Sequence, residues 1–124
     1  EAQGYTCVDF GTHTLDSCNY PDYAKKVCTA IKDGEGDMGI LICGTGIGMS
    51  LAANKFKGIR AAALSEHFSA KYTRLHNNSN ILCLGGRVVG VGTAIELADL
   101  FVNTEFEGGR HQNRIDKIAE IEKL

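Results

Sequence analysis

The residues of this chain best placed to do chemistry lie in Gly39 to Ser50, GILICGTGIGMS, where an apolar run stops at a cysteine and a glycine-rich turn. Ile40 to Cys43 read as a buried strand, because a continuous Ile/Leu run is what a parallel strand covered on both faces looks like. Gly44, Gly46 and Gly48 let the backbone turn tightly and present amide N–H groups, which would open a helix over Ile47 to Asn54. A helix N-terminus carries partial positive charge and unpaired donors, so it favours an anion or a developing oxyanion and pushes a nearby cysteine toward thiolate. Cys43 is therefore a candidate nucleophile or general base. The same pattern also fits an inert, packed cysteine on an ordinary strand-glycine-helix turn. It is not a dinucleotide fingerprint, since Met49 stands where the third glycine belongs, and it lacks the Gly-Lys-Ser/Thr ending of a P-loop.

A second group of candidates follows Gly108-Gly109. Arg110 and Arg114 are four apart and share a helix face, with His111 beside the first. Cations at a helix start oppose the dipole unless an anion binds there; a solvated basic first turn is the other reading. His76 and Asn77 close a helix before an Asn-rich cluster and read either as a polar C-cap or as site groups. Such residues lie at the opposite rim of a sheet from the glycine loop, so a catalytic His76 would serve the site of a neighbouring subunit. Tyr20 is either a packing residue ahead of a helix or a hydroxyl aimed into a cleft.

Positioning these groups requires alternating strands and helices. Thr6 to Phe10 reads as a short strand, followed by a polar loop, Thr12 to Asn19. A helix capped at Asn19 or Tyr20, with Pro21 in its first turn, runs to about Lys32 and carries an apolar stripe of Ala24, Val27, Cys28 and Ile31. Ile59 to Leu64 is a strand, a helix N-capped by Ser65 runs through Leu75, and Ile81 to Leu84 is a further buried strand. Val91 to Asn103 is an amphipathic helix, and a final helix reaches Leu124. This order predicts a single-domain α/β fold, a doubly wound parallel sheet in a Rossmann-like three-layer sandwich spanning residues 1–124. Glu1 to Gly4 reads as a helix end with its glycine cap, so the expectation is that the domain's N-terminal first strand is missing from these residues.

At 124 residues the chain can bury a core without disulfides or metal. Its net charge of −2 with interspersed signs gives no basic field for nucleic acid, and no apolar segment approaches the ~20 residues that cross a bilayer. Five cysteines without a C-x-x-C pair suit a reducing compartment, so a cytoplasmic location is expected.

Several separate segments resemble one family: Tyr20-Pro21-Asp22-Tyr23-Ala24, the ICGTGIGMS run with Ala52-Ala53-Asn54-Lys55, Gly58-Ile59-Arg60-Ala61, Ser65-Glu66, His76-Asn77, Leu84-Gly85-Gly86-Arg87-Val88, and Glu107-Gly108-Gly109-Arg110-His111 with Arg114. Together they are similar to the sugar-phosphate isomerases of the type B ribose-5-phosphate isomerase and galactose-6-phosphate isomerase subunit group. The resemblance implies aldose-ketose isomerisation through an enediol or enediolate, with neither metal nor organic cofactor. It implies Cys43 as general base, Thr45 as its hydroxyl partner, and Gly44, Gly46, Gly48 and Ser50 as the anion-stabilising loop. His76 would help open the sugar ring, Asn77 would orient substrate, and Arg110, His111 and Arg114 would hold the phosphate. It also implies a homodimer with a site shared between subunits. The family's opening strand, with its Asp-His-Gly-type loop, has no counterpart in these residues. Ribose 5-phosphate is the expected substrate. A six-carbon sugar phosphate, or a non-catalytic sugar-phosphate-binding role, are the alternatives.

Overall fold

The chain is described over residues 1–124 by a computed structural model. Its first helix, α1, runs from Tyr20 to Lys32, with Asn19 extended at the N-cap and Pro21 in the first turn, where its missing N–H costs nothing. There follow β1 (Gly39–Cys43), α2 (Ile47–Ala53), β2 (Ala61–Ala63), α3 (His67–Asn77), β3 (Ile81–Gly85), α4 (Val91–Asn103) and α5 (Arg110–Ile121). The three strands form one parallel sheet in the order β1-β3-β2.

Alternation along β3 builds the two sides of the molecule. Ile81 and Cys83 face a core made with Ala24 and Cys28 of α1, Leu41 of β1, and Met49 and Ala53 of α2. Leu82 and Leu84 face a second core made with Ala70 of α3 and Leu97 and Phe101 of α4. The expected three-layer α/β arrangement is thus present, and all five residues of β3 are buried. No helix is long and apolar enough to cross a membrane.

Side chains complete what the short strands cannot. Asn54, just past α2, donates to the Ala61 carbonyl (3.0 Å) and accepts from the Ala61 N–H (2.8 Å), taking the place of a strand neighbour at the start of β2. Asn54→Ala leaves both groups without that partner, and an expected loss of about 1–2 kcal/mol should appear as a lower urea midpoint with an unchanged slope.

Some elements depart from the sequence reading. Thr6–Phe10 forms no regular element and joins no ladder. A strand exists only through its pairing, and the preceding residues are drawn to α4 instead: Gln3 bonds Asp99, and the Tyr5 hydroxyl bonds the Val102 carbonyl (3.2 Å) and Asn103 Oδ1 (2.7 Å). Glu1 to Gly4 is a single turn closed by the Gly4 N–H on the Glu1 carbonyl (3.0 Å), not a helix end. β1 is an edge strand covered on one face only, leaving Ile40 41% and Ile42 57% exposed, because α3 and α4 pack over β3 rather than over β1. The helix expected to be capped by Ser65 is capped by Glu66, whose carboxylate accepts from the Ser69 N–H (2.9 Å). A longer side chain three residues before that N–H reaches it as well as a serine one would.

Candidate active site

Cys43 and Gly85 are register partners at the C-terminal ends of β1 and β3, so the loops leaving them stand side by side on one rim. Their backbones are joined: the Gly86 N–H donates to the Cys43 carbonyl (2.8 Å) and the Arg87 N–H to the Gly44 carbonyl (3.1 Å). Gly85 is pressed so close to Thr45 that a Cβ there would come within 2.7 Å of its backbone. The crevice outside the carboxyl ends of parallel strands is where α/β sheets bind ligands, and here the sequence supplies the small residues that let two loops meet.

The Cys43 thiol lies half-buried in this rim. Its sulfur accepts from the Gly46 N–H at 3.2 Å. Burial pushes the thiol's pKa up, but the backbone N–H groups of Met49, Gly46, Thr45 and Gly48 together outweigh it and hold the pKa below the ordinary value. The other core thiols go the opposite way, with desolvation raising Cys28 to about 11 and Cys83 to about 12. Iodoacetamide near neutral pH should therefore label Cys43 while Cys28 and Cys83 stay untouched until the protein unfolds, as read by peptide mass. A Cys43 no faster than the buried pair would mean that the amide cradle does not activate it.

The neighbours of this thiol divide by role. Thr45 Oγ1 accepts from the Ile47 N–H (3.2 Å), which leaves its own O–H free to donate at the exposed mouth of the loop. Ser50 donates to the Ile47 carbonyl (2.7 Å), so its proton is held inside α2 rather than offered to an anion. Tyr20 stands over Gly48, its ring and hydroxyl within 2.7 Å of where a Cβ would sit, which carries the tyrosine hydroxyl to the glycine loop. The Arg87 side chain lies along Gly44, 3.8 Å from where its Cβ would be. Sequence reasoning assigned Arg87 no role; its place four residues after Cys83 marks only a turn, and the ladder between β1 and β3 is what brings it to Cys43.

His76, Asn77, Arg110, His111 and Arg114 gather elsewhere. Phe68, Tyr72 and His76 lie at i, i+4 and i+8 on α3, with Phe68 stacked on Tyr72 (4.4 Å) and Tyr72 edge-on to His76 (4.9 Å). His76 then stacks on His111, with ring centroids 4.1 Å apart and planes 13° from parallel. Glu107 lies 3.5 Å from His76 Nε2, a partner that sequence reasoning did not assign. The Glu107 N–H donates to the Leu75 carbonyl (3.1 Å), fastening the α4–α5 loop to the end of α3. Arg74, 6% exposed, tightens the same corner through the carbonyls of Thr104 (3.0 Å) and Ser79 (2.6 Å) and Asn78 Oδ1 (2.9 Å). Desolvation first, then His76, Arg110 and Arg114, push the His111 pKa down, against the pull of Glu107. Arg110, Arg114 and Asn77 are exposed, and neither arginine is held in an ion pair. His76, Glu107 and His111 are the residues whose ligand atoms could surround a metal ion.

Two half-sites result, one at each end of the sheet. β3 runs from the His76 end at Ile81 to the Cys43 end at Gly85, a rise of about 13 Å at ~3.3 Å per residue. Within one chain the structure therefore keeps His76 and the arginines away from Cys43. A cleft between α5 and the β2 edge includes Asn77 but none of the Cys43 loop.

Comparison with known proteins gives a consistent set of matches. The model of the Ribose/Galactose Isomerase family matches residues 1–118. Ribose-5-phosphate isomerase B of Escherichia coli is 48% identical over 121 residues, covering 98% of this chain and 81% of the relative. The structure of ribose-5-phosphate isomerase B from Clostridium thermocellum superposes with a TM-score of 0.96 at 52% identity, covering 98% of this chain and 82% of that one. A ribose-5-phosphate isomerase B from Mycoplasma genitalium, solved with bound ribulose 5-phosphate, superposes with a TM-score of 0.93 at 44% identity, again covering 98% and 82%.

Proposed function

Since the chain belongs to the ribose/galactose isomerase family, whose relatives above are aldose-ketose isomerases, we propose that it interconverts ribose 5-phosphate and ribulose 5-phosphate, with Cys43 as the base. The observation that carries this reading is the Cys43 sulfur at the head of the glycine loop, accepting from the Gly46 N–H at 3.2 Å. The thiolate takes the proton from carbon 2 of the open-chain aldose and returns it to carbon 1. Meanwhile the hydroxyl proton at carbon 2 passes to the oxygen at carbon 1, beside the free O–H of Thr45. Charge develops on oxygen during this exchange, and the amides of the glycine loop are fixed before it appears; a well-placed donor of this kind typically contributes ~3–4 kcal/mol. A proton returned by the group that took it needs no metal and no organic cofactor.

Phosphate and ring-opening groups complete the site. Arg110 and Arg114, free of carboxylate partners, suit a phosphate dianion, which then orients the reacting carbons. His76, with Glu107 beside it, can move the proton that opens the furanose ring, and the exposed Asn77 can orient the chain. Because these groups and Cys43 lie at opposite rims, the reading requires a homodimer in which each site takes Cys43 from one chain and the His76 group from the other.

Mixing tests both halves of this proposal. Purified protein should convert ribose 5-phosphate, while Cys43→Ala and His76→Gln should each be nearly inactive alone. Unfolding and refolding them together gives half mixed dimers with one intact site of two, so about a quarter of wild-type activity should return. Mixed dimers that remain inactive would place the whole site in one chain. Turnover of a six-carbon sugar phosphate in preference to ribose 5-phosphate would move the substrate assignment without moving the base.

A further inference from the structure

We infer that His76, Glu107 and His111 form a binding site for a divalent transition-metal ion of the zinc class, and that its occupation switches the enzyme off. The three residues come from the end of α3, the α4–α5 loop and the first turn of α5, and their ligand atoms lie within 4.8 Å of one another. Two imidazoles and a carboxylate are a set that zinc accepts, whereas magnesium and calcium prefer oxygen alone. The backbone beneath them is already fixed: the Glu107 N–H is held by Leu75, Arg74 ties the two segments together, and His111 is 8% exposed. A metal ion would therefore find the backbone that carries these ligands already held.

Ligand atoms around a tetrahedral zinc stand about 3.3 Å apart. The near-parallel rings of His76 and His111 aim their lone pairs alongside each other rather than at one point. Occupation therefore requires the partly exposed His76 and Glu107 side chains to rotate toward the buried His111. Arg110 and Arg114 act on the same cluster and oppose a dication, so the site is weaker than a closed structural zinc site and leaves its fourth position to water or an anion. A His76 nitrogen bound to metal can no longer carry a proton. This inhibitory consequence rests on the function proposed above; the binding itself does not.

Cobalt distinguishes this site from the protein's thiols, because thiolate ligation adds a near-ultraviolet charge-transfer band that nitrogen and oxygen ligands do not. Titration of the reduced protein with Co²⁺ should give one ion per chain, visible d–d absorption without the thiolate band, and displacement by Zn²⁺. Glu107→Gln and His111→Asn should each weaken binding at least ~10-fold. Glu107 is exposed, so its variant decides the matter should the buried His111 variant fail to fold. A dominant thiolate band, or affinity unchanged in Glu107→Gln, overturns the site. Zn²⁺ should also inhibit isomerisation reversibly by EDTA, and less in Glu107→Gln; Co²⁺ bound at these ligands while Zn²⁺ leaves turnover intact overturns the switch. A protein without any isomerase activity would instead overturn the function proposed above, and the cobalt spectrum would still decide the site.

Discussion

Cys43→Ala is expected to lower kcat for ribose 5-phosphate by about 10²–10⁴-fold while leaving KM and thermal stability nearly unchanged. General-base removal typically costs that much, and in the proposed site Arg110 and Arg114, not Cys43, hold the substrate's phosphate. The stability expectation follows from position: Cys43 lies half-buried at a loop mouth, so trimming its sulfur opens no closed cavity. In the wild-type protein the pH dependence has a definite sign. The amides favour the thiolate and lower the pKa, so kcat/KM should fall as pH drops through a value below that of a free thiol, and this acid limb should be absent from the residual rate of the alanine variant. Unchanged turnover in Cys43→Ala would remove the cysteine from the mechanism and revive the reading of a packed, inert thiol.

Gly46→Ala should be as damaging to activity and far more so to stability. Gly46 caps α2 with φ +81 and ψ −16, a left-handed conformation that costs a residue with a Cβ about 1–2 kcal/mol. A Cβ would also meet the Leu84 carbonyl carbon at 2.9 Å and its oxygen at 3.1 Å, which are backbone atoms of the central strand and cannot swing aside. The two costs together should destabilise the protein by roughly 2–4 kcal/mol, read as a lower denaturation midpoint. Because the Gly46 N–H is also the 3.2 Å donor to Cys43, a displaced loop loses its hold on the thiolate. Gly44→Ala is the control for stability. Its nearest neighbour would be the flexible Arg87 side chain at 3.8 Å, so it should cost less than about 1 kcal/mol. Equal destabilisation at the two positions would show that β3 does not constrain the loop.

The residues nearest in sequence were the most legible. α1, α2 and α4 lie where periodicity, Pro21 and the glycine turn placed them, since local spacing and capping largely decide a helix. The same locality sets Cys43 at a helix N-terminus. Thr6–Phe10 failed because β-branched and aromatic content describes a segment that could pair without saying whether a partner edge lies beside it. Covering both faces of β1 failed for a like reason: Ile40 and Ile42 have the composition of buried residues, but α3 and α4 settle over β3.

By itself, then, the sequence determined the α/β class, the strand-helix order around the glycine turn, and the place of Cys43 at the head of that turn, all set by interactions within a few residues. Only the tertiary structure decided that β3 is central, that Arg87 lies along Gly44, and that Glu107 and His111 meet His76, whose place at the rim opposite Cys43 the strand-helix order already implied. Those placements depend on which strands pair and which helices pack over them, and pairing between distant segments follows from the whole set of contacts rather than from the spacing within any one of them.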